Sequence, residues 1–293
     1  MSSAHKGLTG ATPHRWSPRL SLTGHLGAWL IRLFLIAMCI VVLMPILWVL
    51  SVSIQPGTSG YSSSLIPSSF TGANYQGIFN AGFWIWTRNS LLVSVAAALT
   101  QLAINTLGAY AFSRLKFAGQ RYGLVVLFMI CTFPTIAATS AIFTLVIRFN
   151  LYDTLFGVYF VFIAGSAYYM MLLKNYMDSL PRELDESATV DGANSLEIFY
   201  LVILPLIRPI LFTIFYFCLV GLYGEFYFSN LILLSSNNYT MMVGLFHEIQ
   251  GQYNTNWAVF SAGAFLASVP VLIIYLVFQR FLVAGLSAGS VKG

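Results

Sequence analysis

Along this chain the apolar residues neither alternate with polar ones, as in a barrel strand, nor recur as the single stripe of a surface helix. They run on for about 20 residues at a time, the length an α-helix needs to cross a hydrocarbon layer about 30 Å thick. Six such stretches stand out: Ala28–Ser53, Ser90–Phe112, Tyr122–Ile147, Thr154–Leu173, Leu206–Leu234 and Ala258–Phe281. The pattern predicts six membrane-spanning helices. Pro45, Pro134, Pro205, Pro209 and Pro270 lie in or beside them and predict kinks, because proline lacks the N–H that the helix ladder needs. The first stretch is too long for a signal-peptide core and no small-residue cleavage site follows it, so it reads as an uncleaved spanning helix.

Composition removes the alternatives. Hydrophobic residues make up 58% of the 293 and charged residues 8%, against about 25% charged in a globular protein. Mean hydropathy is +0.80. Disordered chains are poor in aromatics, and this one is 16% aromatic. The expected fold class is an all-α polytopic membrane protein.

Charge placement orients it. With the N-terminus in the cytoplasm, the inner segments hold Lys6, Arg15, Arg19, Arg32, Arg114, Lys116, Arg121, Lys174, Arg182, Arg208, Arg280 and Lys292, and the outer segments hold Arg88 and Arg148. Cytoplasmic loops are the basic ones, so both termini are expected in the cytoplasm. The net charge of +5 is that bias, and no nucleic-acid partner is implied. The predicted organisation is a tail over 1–27, a first span over 28–53, an extracellular loop over 54–89, a core over 90–282 containing an inner loop at 178–205, and a second tail over 283–293.

Candidate chemistry is sparse. Cys39, Cys131 and Cys218 sit in apolar runs and read as small core hydrophobes. His5, His14, His25 and His247 pair with no acid or thiol at metal-ligand spacing, so neither a metal site nor a catalytic residue is expected. The G-x-x-x-x-G-K-[ST] phosphate loop is absent, so any ATP-driven work needs another subunit. Ion-coupled transporters carry charge within their spans; here Glu225 is the one acid near bilayer depth.

The outer loops Gln55–Arg88 and Ser235–Trp257 are rich in Ser, Asn, Gly, Tyr and Trp, and serve either as partner contacts or as plain connections. Thr240–Ile249 is expected to lie as a short helix on the membrane surface. Six of the nine acids (Asp178, Glu183, Asp185, Glu186, Asp191, Glu197) gather in the inner loop, which reads as two short helices. Pro181 is placed for a first helical turn, with Ser179 or Asp178 as cap. Glu183, Asp185 and Glu186 suit the helix dipole there. Leu184 and Ala188 share one face. Gly192 supplies the positive φ that ends the helix. Asn194 or Ser195 then caps a second helix carrying Leu196, Ile198 and Phe199, which meets Pro205. The product is an acidic helix-turn-helix knob with a small apolar face, shaped for a groove in a cytoplasmic partner.

At these residues the chain resembles the EAA motif of ABC-importer permeases, Glu-Ala-Ala, three residues, Gly, nine residues, Ile-x-Leu-Pro. Glu186, Ala188, Gly192, Leu204 and Pro205 fall at its offsets; Ser187 replaces the first Ala and Val202 the Ile. Tyr110-Ala-Phe-Ser-Arg114-x-x-Phe117-x-Gly119 and Tyr239-Thr-x-x-x-Gly244 resemble stretches of sugar permeases, and the end of the chain from Gln279 to Gly293 is similar to the tail of MalG-like maltose/maltodextrin permeases. The likeness covers about Ile36 to Gly293.

The resemblance implies a type I ABC-importer permease with a MetI-like core in the plasma (inner) membrane of a bacterium, a transport subunit without an ATPase site of its own. It implies three partners in the lipid bilayer or at its surfaces: a MalF-like second permease, a MalK-like ATPase homodimer that binds ATP and Mg, and an extracellular or periplasmic sugar-binding protein. No cofactor belongs to this chain. The implied cargo is a maltose/maltodextrin-type oligosaccharide; trehalose or another oligosaccharide, and a stand-alone secondary transporter, remain as alternatives. By the same likeness Glu183, Leu184, Glu186, Ser187, Ala188, Asp191 and Gly192, with Leu204 and Pro205, form the ATPase-coupling loop, Glu186 pairing with a basic ATPase residue. Gly289, Val291, Lys292 and Gly293 reach between the ATPase subunits. Glu248, Gly251, Tyr253, Asn254 and Asn256 face the binding protein. Tyr223, Glu225 and Tyr227 either line the pathway or pack between helices.

Overall fold

The computed structural model describes residues 22–57, 67, 69–163, 167–250 and 256–287, and every regular element among them is helical. In chain order these are α1 (Leu22–Ser53), α2 (Ala73–Ala81), α3 (Phe83–Arg114), α4 (Gln120–Thr132), α5 (Thr139–Arg148), α6 (Leu155–Ile163), α7 (Ala167–Asp178), α8 (Glu183–Val190), α9 (Ser195–Glu197), a π-helical stretch Ile198–Ile203, α10 (Leu204–Leu206), α11 (Arg208–Tyr223), α12 (Tyr227–Ile232), α13 (Met241–Ile249) and α14 (Trp257–Ser287). Short 3₁₀ turns at Thr135–Ala138 and Ser236–Asn238 complete the set.

Two compact units are present, Met1–Trp48 and Val49–Gly293. In the first, the side chains of α1 from Trp29 to Trp48 are exposed, as suits a helix that is hydrophobic all round. The Arg32 guanidinium lies 5.2 Å over the Trp29 ring. In the second unit α3 is the axis: α6, α7 and α11 pack on it, and α11 carries α14. Ala97, Ala98 and Ala109 of α3 have no exposed surface. Small residues let helices approach closely where the solvent is lipid and no hydrophobic force drives them together.

Three helical stretches are long and apolar enough to cross a membrane unbroken: Gly27–Ser53, Phe83–Arg114 and Trp257–Arg280. Three further helix pairs are long and apolar enough only when taken together, and each is bent: Gln120–Ile130 with Thr135–Arg148 at 86°, Leu155–Ile163 with Ala167–Asp178 at 43°, and Ser195–Leu206 with Arg208–Tyr223 at 77°. Taken as one span each, the pairs bring the total to the six that hydropathy predicts. Two of the bends have local causes. At Phe133 and Pro134 the backbone turns extended (ψ 127° and 111°), and proline offers no N–H to continue the ladder. Ile207, with ψ near 1°, stands between Pro205 and Pro209, two missing donors four residues apart. Pro45 and Pro270, by contrast, lie inside continuous helices. The predicted fifth span ends early: α11 stops at Tyr223, and a separate α12 starts at Tyr227.

Candidate functional site

The inner loop folds into a knob. α8 begins at Glu183, with the Asp185 and Glu186 amides donating to the Arg182 carbonyl at 3.0 and 3.1 Å. Neither residue expected as its cap serves: the Ser179 hydroxyl donates to the Tyr176 carbonyl, and Asp178 is held by Lys174 and Ser113, each at 2.6 Å. Pro181 stands just before the helix rather than in its first turn. What remains at the helix start is electrostatic, three carboxylates against the amino end of the dipole.

The end of α8 follows the sequence reading. Gly192 has φ +88°. Its N–H donates to the Thr189 carbonyl and that of Ala193 to the Ala188 carbonyl, both at 3.0 Å, the paired bonds of a Schellman motif. The second helix is capped by Asn194, not Ser195. The Asn194 Oδ1 accepts from the Leu196 and Glu197 amides at 3.0 Å, and Glu197 Oε2 accepts from the Asn194 amide at 2.7 Å. The three amide donors of this turn are thereby satisfied in a reciprocal capping box.

α8 has two faces. Glu183, Glu186, Ser187 and Val190, spaced three and four apart, are exposed, Val190 at 87%. Asp191, Gly192 and, at its edge, Leu184 are exposed with them. Ala188 turns the other way and packs with Leu180, Ala193 and Leu204 on a cluster built from Ile198, Phe199, Ile203, Ile207, Met170, Leu173, Met177 and Tyr110. Each such buried side chain contributes about 1.5–3 kcal/mol relative to water exposure. The apolar base therefore holds the knob, and polar contacts add to it. Pro205, half-buried, sits where the base meets the 77° bend.

Those polar contacts come from the last turn of α3. Tyr110 Oη donates to the Ser195 carbonyl at 2.7 Å, Ser113 Oγ to Asp178, and Arg114 Nη2 to the Leu180 carbonyl at 3.2 Å. Arg114 Nε lies 2.7 Å from Asp185 Oδ2. Tyr110, Ser113 and Arg114 all belong to the Tyr110–Gly119 stretch. Sequence reasoning matched that stretch but assigned it no task; a cation ending an apolar helix beside an acidic loop was the available signal.

At the opposite end of α3, Asn89 Nδ2 donates to the Asn237 and Tyr239 carbonyls, and Ser90 Oγ accepts from the Met241 amide at the start of α13. α13 is buried through Met241, Val243, Gly244 and Leu245 against α3 and α14, so the expected surface helix is instead an integral layer of the bundle. Tyr239 and His247 stack at 4.6 Å. Asp153, at φ +54°, accepts from the Leu234 and Ser235 amides at 2.9 Å, from the Ser235 hydroxyl and from Asn238. Burial pushes its carboxyl up, but these bonds outweigh it and hold the group at about 2.

The pathway candidates separate. Tyr223 is buried, donates to the Ala267 carbonyl at 3.2 Å and lines an almost wholly apolar cavity of ≈ 490 Å³ with Val220, Phe226, Leu245, Phe246 and Phe260. Glu225 turns onto its own chain, accepting from the Phe228 amide (2.7 Å), the Ser229 amide (3.1 Å) and the Ser229 hydroxyl (2.9 Å) at the start of α12. Tyr227 is exposed and meets the Thr139 hydroxyl at 3.0 Å. Of the outer candidates, Glu248 ends α13 with its carboxyl pushed up by burial, and Asn256 caps α14 through the Val259 amide at 3.1 Å. Gly251, Tyr253, Asn254, Gly289, Val291, Lys292 and Gly293 lie outside the described residues. Among those described, no three His, Cys, Asp or Glu side chains converge as a metal site would require.

Comparison with known proteins places this geometry. Residues 104–287 match the model of the binding-protein-dependent transport system inner membrane component family. The chain is 35% identical over 269 residues to the galactooligosaccharides transport system permease protein GanQ of Bacillus subtilis, covering 89% of this chain and 94% of that one. It is 31% identical to the maltodextrin transport system permease protein MdxG of the same organism (89% and 95% covered) and 32% identical to the maltose/maltodextrin permease MalG of Vibrio vulnificus (90% and 96%). Its fold is that of a chain in the crystal structure of a bacterial ABC transporter that imports the acidic polysaccharide alginate, with TM-score 0.78 and 24% identity over 90% of this chain and 99% of the other.

Proposed function

The chain belongs to the family of binding-protein-dependent transport system inner membrane components, and from that membership we propose that it is one permease subunit of an ATP-driven oligosaccharide importer, handling maltose/maltodextrin-type sugars. It forms half of the pathway with a MalF-like second permease. A MalK-like ATPase homodimer beneath supplies the ATP and Mg chemistry, and an external sugar-binding protein delivers the cargo. The chain lacks a phosphate loop and contributes coupling, not hydrolysis. The basic residues at the knob end of the bundle, Arg114, Lys174, Arg182 and Arg208, support a cytoplasmic position for that end.

The observation that carries the coupling role is the two-faced α8. Its exposed face, Glu183, Glu186, Ser187 and Val190, enters the ATPase cleft with Asp191 and Gly192. Its other face is continuous with the packed base of α3, α7 and α11. Closure of the ATPase dimer on ATP displaces the knob, and because its base is packed rather than tethered, the displacement passes to the bundle. A galactooligosaccharide is the second reading for cargo, favoured by 35% identity to GanQ against 31–32% to the maltodextrin permeases.

Reconstitution tests the assignment. Proteoliposomes holding this chain, its partner permease, ATPase and binding protein take up sugar when ATP is supplied, and this chain alone takes up none. Uptake by the isolated chain would contradict the reading. A panel of maltotriose, trehalose and a galactooligosaccharide, titrated against the binding protein, decides the cargo.

A further inference from the structure

One contact between α3 and the knob is unlike the others. Tyr110 and Ser113 make ordinary single hydrogen bonds at 2.7 and 2.6 Å. Arg114 and Asp185 form a charge pair whose side chains are 5% and 18% exposed, so both charges are nearly out of water. Such a pair offsets its desolvation only when its remaining donors and acceptors are engaged. Here they are not. The 2.7 Å approach of Nε to Oδ2 lies off the hydrogen-bond direction, and Arg114 Nη1 and Asp185 Oδ1 are buried with no hydrogen-bond partner. Arg114 keeps its hold on the loop through the Leu180 carbonyl. Guanidinium and carboxylate are planar groups that match fork to fork through two parallel bonds. In this conformation they touch through one atom each, with Arg114 Nη1 and Asp185 Oδ1 idle, so the end-on fork of Nη1 and Nη2 against the two carboxylate oxygens is unmade. A fixed brace in a packed site would be expected to close that second contact. A joint with two arrangements would leave it open in one of them.

We propose that Arg114 is a positioning residue for coupling. The Arg114–Asp185 pair is the joint between knob and bundle, open at one point in this conformation and closed fork to fork in the conformation reached when the knob is displaced. α3 is the helix on which α6, α7 and α11 pack, so a joint at its end reaches the whole second unit. Asp185 thus faces inward to α3 while its neighbour Glu186 faces outward, dividing the acids of α8 between two tasks. The proposal rests on the coupling role assigned to the knob.

The test uses the full complex in proteoliposomes, with maltotriose and a galactooligosaccharide as transport probes. Three quantities are read: ATPase retained on purification, thermal stability, and sugar taken up per ATP hydrolysed. R114K preserves the charge but removes the fork. It is expected to retain ATPase and stability as in wild type, with uptake per ATP lower by about tenfold, inside the usual range of coupling between sites. D185N is expected to fall likewise, and the swap R114D/D185R to recover most of the loss. Wild-type uptake per ATP in R114K overturns the proposal. So does a loss confined to ATPase retention or stability, which is what a static brace would give. Should D185N fail to assemble, R114K and the swap still decide. A wild-type complex with no ATP-dependent uptake of either probe would strike at the functional reading itself, whereas a coupled wild type with an unaffected R114K removes only the joint.

Discussion

The indole of Trp86 on α3 lies so close over Gly244 on α13 that a β-carbon on the glycine would collide with its Cδ2, Cε2 and Cε3 atoms. Trp86 is 3% exposed and is held in a cluster with Ile78, Phe83, Tyr223, Met241 and Leu245, so it has nowhere to yield. This contact makes α13 a buried layer rather than a surface helix. It also gives the Tyr239–Gly244 stretch a physical reason for its glycine.

Gly244→Ala is therefore expected to overpack that contact and destabilise the bundle by about 1–3 kcal/mol. Thermal unfolding of the purified complex, followed by tryptophan fluorescence, reads the effect. Gly221→Ala is the control, since open space surrounds that position. Equal midpoints for the two variants would show that Trp86 moves aside freely.

At Gly192 the constraint is conformational alone. Nothing lies within 4 Å of a β-carbon there, but φ is +88°, where a side chain costs about 1–2 kcal/mol. Gly192→Val is expected to distort the exit from α8 and to lower ATPase association with the spans still folded. Gly192→Asn, whose side chain tolerates positive φ, is expected to retain most of it. A pull-down of the ATPase checks both, and full association in Gly192→Val would refute docking through the knob.

How much of this was legible in the sequence depends on the range of the force involved. Long apolar runs report membrane crossings whatever their tertiary surroundings, and the proline bends at Pro134 and at Pro205–Pro209 follow from a missing donor in the same segment. The turn at Gly192 and the cap at Asn194 are local too, and both appear where residue chemistry places them. The expected cap of α8 failed because Asp178 had a better partner 65 positions away, the Ser113 hydroxyl, along with Lys174. Hydropathy averaged over Leu206–Leu234 is blind to Glu225 folding back to cap α12, which splits that stretch. Arg114 was read only as a charge that orients the chain, since its partner Asp185 lies beyond the intervening helices α4 to α7.

Asp153 predicts a pH dependence with a definite sign. Its carboxyl is held at about 2 in the folded loop against an ordinary value of 3.8. A depressed carboxylate stabilises the state that depresses it at pH above the ordinary value, and that stabilisation is lost as pH falls through the folded value. The latch from Asp153 to the 234–238 segment is thus expected to be intact above pH 3.8 and to weaken as pH drops toward about 2. Amide exchange at Leu234 and Ser235 is the measurement, because both amides donate to Asp153. Asp153→Asn should lower their protection factors near neutral pH and flatten the dependence of protection on pH across the acid window. Protection factors that do not change with pH in the wild type would mean the carboxylate does not secure the loop.

Glu225 is the sharpest case, because its two readings predict different experiments. As the cap of α12 it satisfies two amides and a hydroxyl. Glu225→Ala would leave those part-buried donors without their acceptor, at about 1 kcal/mol, the low end for an unsatisfied group. Amide exchange at Phe228 and Ser229 should then accelerate, with any change in uptake following from the loosened helix. Glu225→Gln keeps one acceptor oxygen but sets an NH₂ against the remaining donors, so its exchange should fall between wild type and Glu225→Ala. If Glu225 instead contacts sugar in the pathway, uptake should fall in Glu225→Gln while the two amides exchange as in wild type. The carboxylate's present partners all belong to α12, so the first pattern is the one expected.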